Sequence, residues 1–315
     1  MNASSHRIVV VGSLNADFVI RVDRYPVPGE TLVGQQFNIF PGGKGANQAY
    51  AAGKLGASVA MIGQVGNDSQ ADWLKENLRA AGVDVSPILT DPGTSSGIAT
   101  ITIDRLGQNQ IIIVPGANGT FNPARLEPSQ AALQSAGLVL LQLEIPLATV
   151  EASARLAREG RATVILDPAP AQDLSDSLLH LTDYLTPNEG ELALLTGHAP
   201  GALTRAEATV LSRQLVSRGA RKVLVKMGHK GALLVAQSYE HFWPAIPVEA
   251  VDTTAAGDAF NGAFAAALAR GESEVEAGWY ATAAAACSVT RLGAQPSMPN
   301  DEEVRSFLQR IGVRS

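Results

Sequence analysis

Short apolar runs alternate along this chain with longer segments in which apolar residues recur every three or four positions. The runs predict buried β-strands at 8–11, 59–62, 138–143, 163–166, 223–225 and 233–235. The longer segments predict α-helices at 46–55, 68–81, 147–158, 206–218, 257–270 and 275–289. Uninterrupted apolar strands are typical of a sheet that is covered on both faces. The alternation therefore predicts an α/β fold, with helices on both faces of a mostly parallel sheet.

Two regions, 14–40 and 97–114, break this alternation. They contain strand-like segments with no helix between them, at 18–22, 36–40, 97–103 and 110–114. The sequence Arg-Leu-Gly-Gln at 105–108 is typical of a hairpin turn between the last two. We expect a small antiparallel sheet that projects from the main one within a single domain over 1–315. One of its faces must meet the substrate, the main body or a second subunit.

Composition narrows the class of protein. Of 315 residues, 46% are hydrophobic and 17% are charged, which allows a sizeable core. The net charge of −6 gives no reason to expect nucleic acid as a partner. The single cysteine, Cys287, suits a reducing compartment. The first residues do not resemble a signal peptide and no apolar run is long enough for a membrane span, so we expect a cytoplasmic protein without a membrane partner.

The segment 251–264, Val-Asp-Thr-Thr-Ala-Ala-Gly-Asp-Ala-Phe-Asn-Gly-Ala-Phe, joins a β-like approach at 247–251 to the start of a helix. Ala256 and Gly257 leave the backbone uncovered there, where N–H groups and the helix dipole favour an anion. Asp258 in the first turn has a simpler interpretation as a helix cap. That interpretation leaves Asp252 and the small residues between them unexplained. A carboxylate beside a phosphate site instead suits deprotonation of a hydroxyl during phosphoryl transfer.

Two other segments carry polar residues suited to a sugar. Residues 41–49 set Lys44 and Asn47 among small residues ahead of a helix, although a plain tight turn is the alternative. Lysine donates hydrogen bonds and asparagine both donates and accepts them, which suits sugar hydroxyls. Asn15 and Asp17 follow the first strand and share one face of an extended chain, although such residues often only form turns. The chain has no GxxxxGK[ST] phosphate loop and no GxGxxG after a strand.

Together these segments resemble the ribokinase family of ATP-dependent sugar kinases, also called the PfkB family. Gly-Gly-Lys-Gly-Ala-Asn-Gln-Ala at 42–49 is similar to its first signature, and Asp-Thr-Thr-Ala-Ala-Gly-Asp-Ala-Phe-Asn-Gly-Ala at 252–263 to its second. Shorter matches at 12–17, 28–31, 142–146, 167–171, 186–191 and 290–297 are closest to the family's ribose kinases. The similarity extends from Gly12 to Pro299. It implies a three-layer α/β/α sandwich with a small β-sheet lid, and a homodimer that pairs two lids.

The resemblance also implies an activity and its residues. The activity is ATP-dependent phosphorylation of D-ribose to D-ribose 5-phosphate, with Asp258 as general base and N–H groups of Ala256 and Gly257 on the transferring phosphate. Ribose would be bound by Asn15, Asp17, Gly43, Lys44, Asn47, Glu144 and Asp258. ATP would be bound by Asn188, Lys226, Gly228, Gly231, Gly257 and Thr282. Mg²⁺ would be organised indirectly by Glu191. An activating monovalent cation, K⁺, would lie near Asp252, Thr254, Ser288, Arg291, Gly293 and Ser297.

Two positions depart from the family pattern, both on the nucleotide side. Lys226 stands where relatives usually carry threonine, and Thr282 where some carry a histidine near adenine. The alternatives within the class are kinases for fructose or deoxyribose. A nucleoside kinase is disfavoured by the many partners offered to free sugar hydroxyls. A catalytically inactive sugar sensor is the rival from another class, but it would not need to keep Asp258 and the anion turn.

Overall fold

The computed structural model of the chain describes residues 6–312. Within that range the strands, in chain order, are β1 Ile8–Val11, β2 Asn15–Arg21, β3 Gln36–Gly42, β4 Val59–Gly66, β5 Val83–Asp84, β6 Ile88–Asp91, β7 Gly97–Ile103, β8 Asn109–Val114, β9 Leu138–Leu141, β10 Thr163–Leu166, β11 Tyr184–Leu185, β12 Lys222–Lys226, β13 Gly231–Ala236 and β14 Glu240–Pro244. The α-helices are α1 Lys44–Lys54, α2 Ser69–Ala80, α3 Ala117–Thr120, α4 Gln130–Ser135, α5 Leu147–Glu159, α6 Asp176–Leu181, α7 Glu189–Leu195, α8 Arg205–Ser217, α9 Ala256–Ala269, α10 Glu274–Ser288 and α11 Asp301–Arg310.

Ten of these strands form one large sheet in the order β14-β13-β12-β11-β10-β9-β1-β4-β5, with β6 also paired to β4. The pairs from β5 and β6 through to β12 are parallel. Strands β13 and β14 add two antiparallel pairs at one edge. Strand β1 lies between β4 and β9, with Ile8 opposite Val59 on one side and Leu138 on the other. The predicted mostly parallel sheet is confirmed.

Successive residues of each strand point to opposite faces of this sheet, and both faces are covered. Ile8 and Val10 belong to an apolar cluster that also contains residues of α1, α2, α9, α10 and α11. Val9 and Val11 belong to a second cluster with residues of α4, α5, α6, α7 and α8. The result is the expected three-layer α/β/α sandwich. Burial of both faces explains why the strands read as uninterrupted apolar runs.

Several helices begin at a side chain that caps them. In α8, α10 and α11 the residue before the helix accepts a hydrogen bond from the N–H of the glutamate at the third helical position, and that glutamate bonds back to the capping residue's N–H. The pairs are Thr204 with Glu207, Ser273 with Glu276, and Asn300 with Glu303. Such pairs satisfy N–H groups that a helix start leaves open. They place the starts of α8 and α10 one residue before the predicted starts.

The other four strands form a small sheet in the order β3-β2-β7-β8. They come from the two regions predicted to form it, but the sheet is mixed and not antiparallel. Its central pair, β2 and β7, is parallel, with Asn15 opposite Gly97. Between β2 and β7 the chain forms β3 of the small sheet and then β4, β5 and β6 of the large sheet. The edge strand β8 is exposed along its whole length and carries three isoleucines, Ile111, Ile112 and Ile113.

Some elements differ from the predictions. Residues 247–251, predicted as β-like, are irregular, and Pro247 has no N–H to donate to a neighbouring strand. The short strands β5, β6, β11 and β14 and the short helices α3, α4, α6 and α7 were not predicted, because two to seven residues give too little periodicity. Across residues 6–312, every helix is too short or too polar to cross a membrane.

Candidate active site

The predicted sugar-binding and catalytic residues meet where the small sheet joins the carboxyl edge of the large sheet. Ligands of open α/β sheets gather at this edge, where loops and helix N-termini converge. Helix α1 begins at Lys44 and helix α9 at Ala256. The two helices pack so closely that a Cβ on Gly262 would lie 2.6 Å from the Cβ of Ala51. This packing brings residues of their first turns into contact.

Asp258 is the central carboxylate of the site and is almost fully buried. Its Oδ2 accepts a hydrogen bond from Asn47 Nδ2 at 3.0 Å, and its Oδ1 accepts one from Gln48 Nε2 at 3.0 Å. Burial raises the pKa of Asp258; the charge of Lys44 opposes the rise and that of Asp167 adds to it. A carboxylate with a raised pKa is a stronger proton acceptor than one on the surface.

The start of α9 offers backbone N–H groups beside this carboxylate. Ala255, just before the helix, has a φ of 58°, a left-handed conformation that is uncommon for alanine. The N–H of Ala256 donates to the Thr253 carbonyl at 3.3 Å. Across residues 6–312, the N–H groups of Gly257 and Asp258 have no protein acceptor. Together with the helix dipole they provide a site for an anion.

The start of α1 is shaped by Gly43 and Glu144. Gly43 has a φ of 87°, and a Cβ there would lie 2.8 Å from the backbone N of Asn15, so only glycine fits. Glu144 accepts hydrogen bonds from the Lys44 N–H at 2.9 Å and from the Ser13 hydroxyl at 2.6 Å. The carboxylate therefore fixes the first turn of α1 against the end of β1.

The Lys44 ammonium stays charged in this setting. Burial alone would lower its pKa, but the carboxylates of Asp258, Asp167, Glu144 and Glu191 together raise the pKa above its ordinary value. Lys44 also lines the cavity described below. A cation among four carboxylates reduces their mutual repulsion, and its N–H groups remain available to a ligand.

The small sheet contributes Asn15 and Asp17 from β2. Burial raises the pKa of Asp17 to about 7, and the charges of Glu144 and Asp258 add to the rise. The Oδ1 of Asn15 accepts a hydrogen bond from Asn118 Nδ2 at 2.8 Å, which leaves its amide N–H groups as donors. Asn118 also pairs with both backbone polar groups of Leu14 and so holds the start of β2. Both β2 side chains therefore keep hydrogen-bonding capacity for a ligand.

A cavity of about 630 Å³ extends from Asp258 towards α10, a volume typical of small-molecule sites. Six of the residues that line it were predicted to contact ATP: Asn188, Lys226, Gly228, Gly231, Gly257 and Thr282. Gly228 and Gly231 have φ of 55° and 119°, and a Cβ on Gly231 would lie 2.0 Å from the Trp243 carbonyl oxygen. The Thr282 hydroxyl donates to the Gly278 carbonyl at 2.8 Å, so it is already engaged within α10.

Asn188 and Glu191 form the capping pair of α7. The Glu191 N–H donates to Asn188 Oδ1 at 2.8 Å, and the Asn188 N–H donates to Glu191 Oε2 at 2.8 Å. Burial raises the pKa of Glu191, and the positive charge of Lys226 partly offsets this rise. The Asn-x-x-Glu pattern therefore begins a helix and also forms part of the cavity wall.

Asp252 organises the loop in which a monovalent cation was predicted. Its Oδ1 accepts from the N–H and hydroxyl of Thr254 at 2.9 and 2.6 Å, and its Oδ2 accepts from the Gly293 N–H at 2.9 Å. Burial would raise the pKa of Asp252, but these hydrogen bonds bring it below its usual value. Asp252 therefore joins the approach to α9 to the loop after α10.

The other residues predicted near the cation lie in different settings. The hydroxyls of Ser288 and Ser297 donate to the carbonyls of Ala285 and Ala294 at 2.9 and 2.8 Å. Arg291 forms an ion pair with Glu303 of α11 and lines a separate, open groove of about 760 Å³. Over the described part of the chain, no cluster of three or more His, Cys, Asp or Glu side chains is arranged to hold a metal ion.

Three residues of the site were missed in the sequence. Gln48 and Gln295 both bond to the Asn47–Asp258 pair: Gln48 donates to Asp258, and Gln295 Nε2 donates to Asn47 Oδ1 at 3.0 Å. Asp167 accepts a hydrogen bond from Gln48 and forms an ion pair with Lys226. A signal existed for Asp167, because it follows the strand β10 at the edge where ligands gather. Gln48 lies beside Asn47 in the first signature, but the carboxylates to which it donates, Asp167 and Asp258, are distant in sequence.

Residues 5–301 match the sequence family described as pfkB family carbohydrate kinase. The chain belongs to this family. Ribokinase of Haemophilus influenzae is 40% identical over 302 residues, which cover 96% of this chain and 98% of the relative. Deoxyribokinase of Salmonella typhi is 39% identical over 303 residues, which cover 96% and 98%. The structure of Arabidopsis thaliana ribokinase complexed with ribose and ATP is 36% identical, with a TM-score of 0.91 and coverage of 96% and 98%.

Membership in the pfkB family confirms the resemblance read from the two signatures. A carbohydrate kinase is a phosphotransferase whose acceptor is a sugar hydroxyl, which agrees with a carboxylate placed beside an anion site. The match extends over nearly the whole chain, so the small sheet and the body both belong to the family's architecture.

Proposed function

We propose that this pfkB-family kinase transfers the terminal phosphoryl group of ATP to the 5-hydroxyl of D-ribose, giving D-ribose 5-phosphate and ADP. The observation that carries the proposal is the position of Asp258. This buried carboxylate lies beside both the polar side chains of the small sheet and the open N–H groups of α9. A hydroxyl bound there would meet its proton acceptor and the phosphate site together. Relatives named ribokinase support ribose as the sugar.

Each group at the site has a role in this reaction. Asn15, Asp17 and Lys44 bind sugar hydroxyls, assisted by the Gly43 backbone, Asn47 and Glu144. Asp258 accepts the proton of the attacking hydroxyl, and its raised pKa strengthens it as a base. The N–H groups at the start of α9 stabilise the negative charge of the phosphoryl group in transit. Because these donors are fixed before the substrates bind, little reorganisation is needed during the reaction.

We assign ATP to the cavity of about 630 Å³. Gly228 has open space where a side chain would stand, which allows a close approach of ligand to backbone, and Lys226 supplies positive charge for phosphates. Glu191 is a carboxylate in the wall, which suits the water shell of Mg²⁺, an ion that prefers phosphate oxygens, one or two carboxylates and retained water. Mg²⁺ bound with the phosphates would neutralise part of their charge.

Release of ADP with a panel of sugars tests the proposed substrate. We expect D-ribose to give the highest kcat/KM among D-ribose, 2-deoxy-D-ribose, D-fructose and a nucleoside. The Salmonella typhi deoxyribokinase makes 2-deoxyribose the second candidate. Equal kcat/KM for ribose and 2-deoxyribose would contradict the assignment to ribose. If the protein binds sugars but releases no ADP in the presence of any of them, it is a sugar sensor.

A weakly hydrated monovalent cation such as K⁺ is proposed to bind between the approach to α9 and the loop 290–297. Asp252 already ties these segments together through Thr254 and Gly293, and the loop offers backbone carbonyls. The ion would steady the turn that presents Gly257 and therefore raise kcat. ADP release at saturating ribose and MgATP should be faster in K⁺ than in a bulky organic cation at equal ionic strength. Equal rates, or an Asp252→Ala variant with the wild-type K⁺ response, would refute the ion's role.

The whole chain is proposed to form one domain whose small sheet closes on the sugar and pairs with the small sheet of a second copy. Ile112, Phe37 and Ile39 are exposed on this sheet, an unusual concentration of apolar side chains for a free surface. Light scattering should give twice the monomer mass. An Ile112→Asp variant should shift the equilibrium to monomer; a wild type that stays monomeric at micromolar concentration would contradict the pairing.

A further inference from the structure

Asp167 is a buried carboxylate to which the reaction described above gives no role. It is the first residue after β10, and its side chain is 2% exposed. Its Oδ1 pairs with the Lys226 ammonium at 2.8 Å, and its Oδ2 accepts from Gln48 Nε2 at 2.9 Å. The carboxylate therefore bridges β12 to α1 at the carboxyl edge of the sheet.

Gln48 connects Asp167 to the general base. Its Nε2 donates to Asp167 and also to Asp258 Oδ1, at 2.9 and 3.0 Å. Its Oε1 accepts from Gln142 Nε2 at 2.7 Å, which fixes the orientation of the amide. Each hydrogen of the Gln48 amide is thus assigned to a different carboxylate. Asp167 and Asp258 are therefore joined through one amide group.

Lys226 connects Asp167 to the phosphate side of the cavity. Its side chain is 13% exposed and lines the cavity together with Gly257. A Cβ on Gly257 would lie 3.4 Å from the Lys226 Nζ, so the ammonium is adjacent to the start of α9. The same carboxylate thus holds a cation at the anion site and an amide at the base.

We propose that Asp167 is a positioning residue for phosphoryl transfer. It holds the Lys226 ammonium against the start of α9 and the Gln48 amide against Asp258. One carboxylate therefore orients both the cation that meets the phosphate and the amide that holds the base. Its negative charge also weakens the attraction of Lys226 for phosphate, which favours release of ADP. This inference rests on the proposed kinase reaction. It deepens that proposal by giving Lys226, a departure from the family pattern, a partner and a role.

The variant Asp167→Asn removes the charge and keeps the size. We expect kcat to fall about 10- to 100-fold while ADP, measured by calorimetry in the presence of Mg²⁺, binds about 3- to 10-fold more tightly, because a negative charge beside the anion site is lost. A purely structural role predicts weaker ADP binding instead. Unchanged or weaker ADP binding would overturn the proposal.

The pH profile supplies a second measurement. Charged groups that act on Asp258 come from three elements: Lys44 of α1, Asp17 of β2 and Asp167 after β10. Removal of the Asp167 charge leaves the attraction of Lys44 less opposed. The pH at which kcat falls on the acidic side of its profile should therefore be lower in Asp167→Asn than in the wild type. A fall of kcat at the same pH in both proteins would contradict a connection between Asp167 and Asp258.

Two further variants guard against a failure to fold. Lys226→Thr alone leaves the buried carboxylate without its cation and should weaken ADP binding. The double variant Asp167→Asn with Lys226→Thr removes both charges and should fold better than Lys226→Thr. Independent, additive effects of the two changes on the ADP Kd would refute the coupling.

The matched control is Asp183→Asn, since Asp183 is another buried aspartate with ion pairs to Arg158 and Arg221. This variant should leave unchanged both the ADP Kd and the pH at which kcat falls on the acidic side of its profile.

ADP binding also separates this inference from the proposed function. A wild type that binds ADP but phosphorylates no sugar would refute the sugar kinase proposal and leave the ADP measurement on Asp167→Asn valid. A kinase with the expected sugar specificity, whose Asp167→Asn variant binds ADP no more tightly, would refute only the role of Asp167.

Discussion

The two sheets of this molecule hold their functional carboxylates in different ways. At the edge of the large sheet, Asp258 and Asp167 each receive hydrogen bonds from side chains of other elements. On the small sheet, the carboxyl of Asp17 accepts no hydrogen bond from any residue between 6 and 312, although burial raises its pKa to about 7. The large sheet is therefore preorganised for chemistry, whereas the small sheet keeps unmet hydrogen-bonding capacity that a sugar would satisfy. Changes on the two sheets should affect different kinetic constants.

The largest effect is expected from Asp258→Asn, which removes the proton acceptor on the large-sheet side. Loss of a general base lowers turnover by roughly 10²–10⁴-fold. The KM for ribose should change far less, because the small-sheet residues remain. Steady-state ADP release measures both constants. Turnover within a few-fold of the wild type would remove Asp258 from the mechanism.

A smaller effect of the other kind is expected from Asp17→Ala on the small sheet. Hydroxyls of the sugar would lose an acceptor in a buried site, which costs about 1–3 kcal/mol, or about 5- to 150-fold in KM. The kcat at saturating ribose should fall much less than in Asp258→Asn. A variant in which kcat falls and KM does not would show that the division of roles between the sheets is wrong.

The third prediction concerns stability instead of a kinetic constant, and it tests the comparison without any substrate. Asp17 has a folded-state pKa of about 7 against an ordinary value of 3.8, so the folded protein binds this proton more tightly than the unfolded chain. Stability is therefore lost as pH rises from about 4 to about 7. The side chain introduced by Asp17→Asn does not ionise. We expect the free energy of unfolding of this variant to be about 2–4 kcal/mol higher than that of the wild type at pH 8. At pH 4 the two proteins should be equally stable.

Urea unfolding of the substrate-free protein at both pH values measures this difference. Asp173→Asn, at an exposed position, is the control and should match the wild type throughout. Equal stability of Asp17→Asn and wild type at pH 8 would show that ionisation of Asp17 does not destabilise the folded protein. A gain in stability together with lost ribose affinity would show that the carboxylate is kept for binding.

Local patterns gave most of the architecture. Apolar runs predicted six strands of the large sheet, and the observed β1 and β10 have the predicted bounds. Helix periodicity placed α1, α2, α5, α8, α9 and α10 within two residues at their starts. Both succeed because the period of apolar residues reflects the faces that are buried. The parallel pairing of β2 with β7 was out of reach, because strand direction depends on the path of the intervening chain.

The sequence by itself determined the family, the α/β class and the three segments that carry Asn15, Lys44 and Asp258, because long signatures and periodicity are local properties of a chain. Only the tertiary structure decided how these side chains are held and charged. Gln48 reaches Asp167 across 119 positions and Asp258 across 210, and no local pattern records such a pairing. The pKa of about 7 at Asp17 likewise arises from burial and from carboxylates that distant elements bring near it. Electrostatic environment depends on distance in space, and folding alone sets that distance.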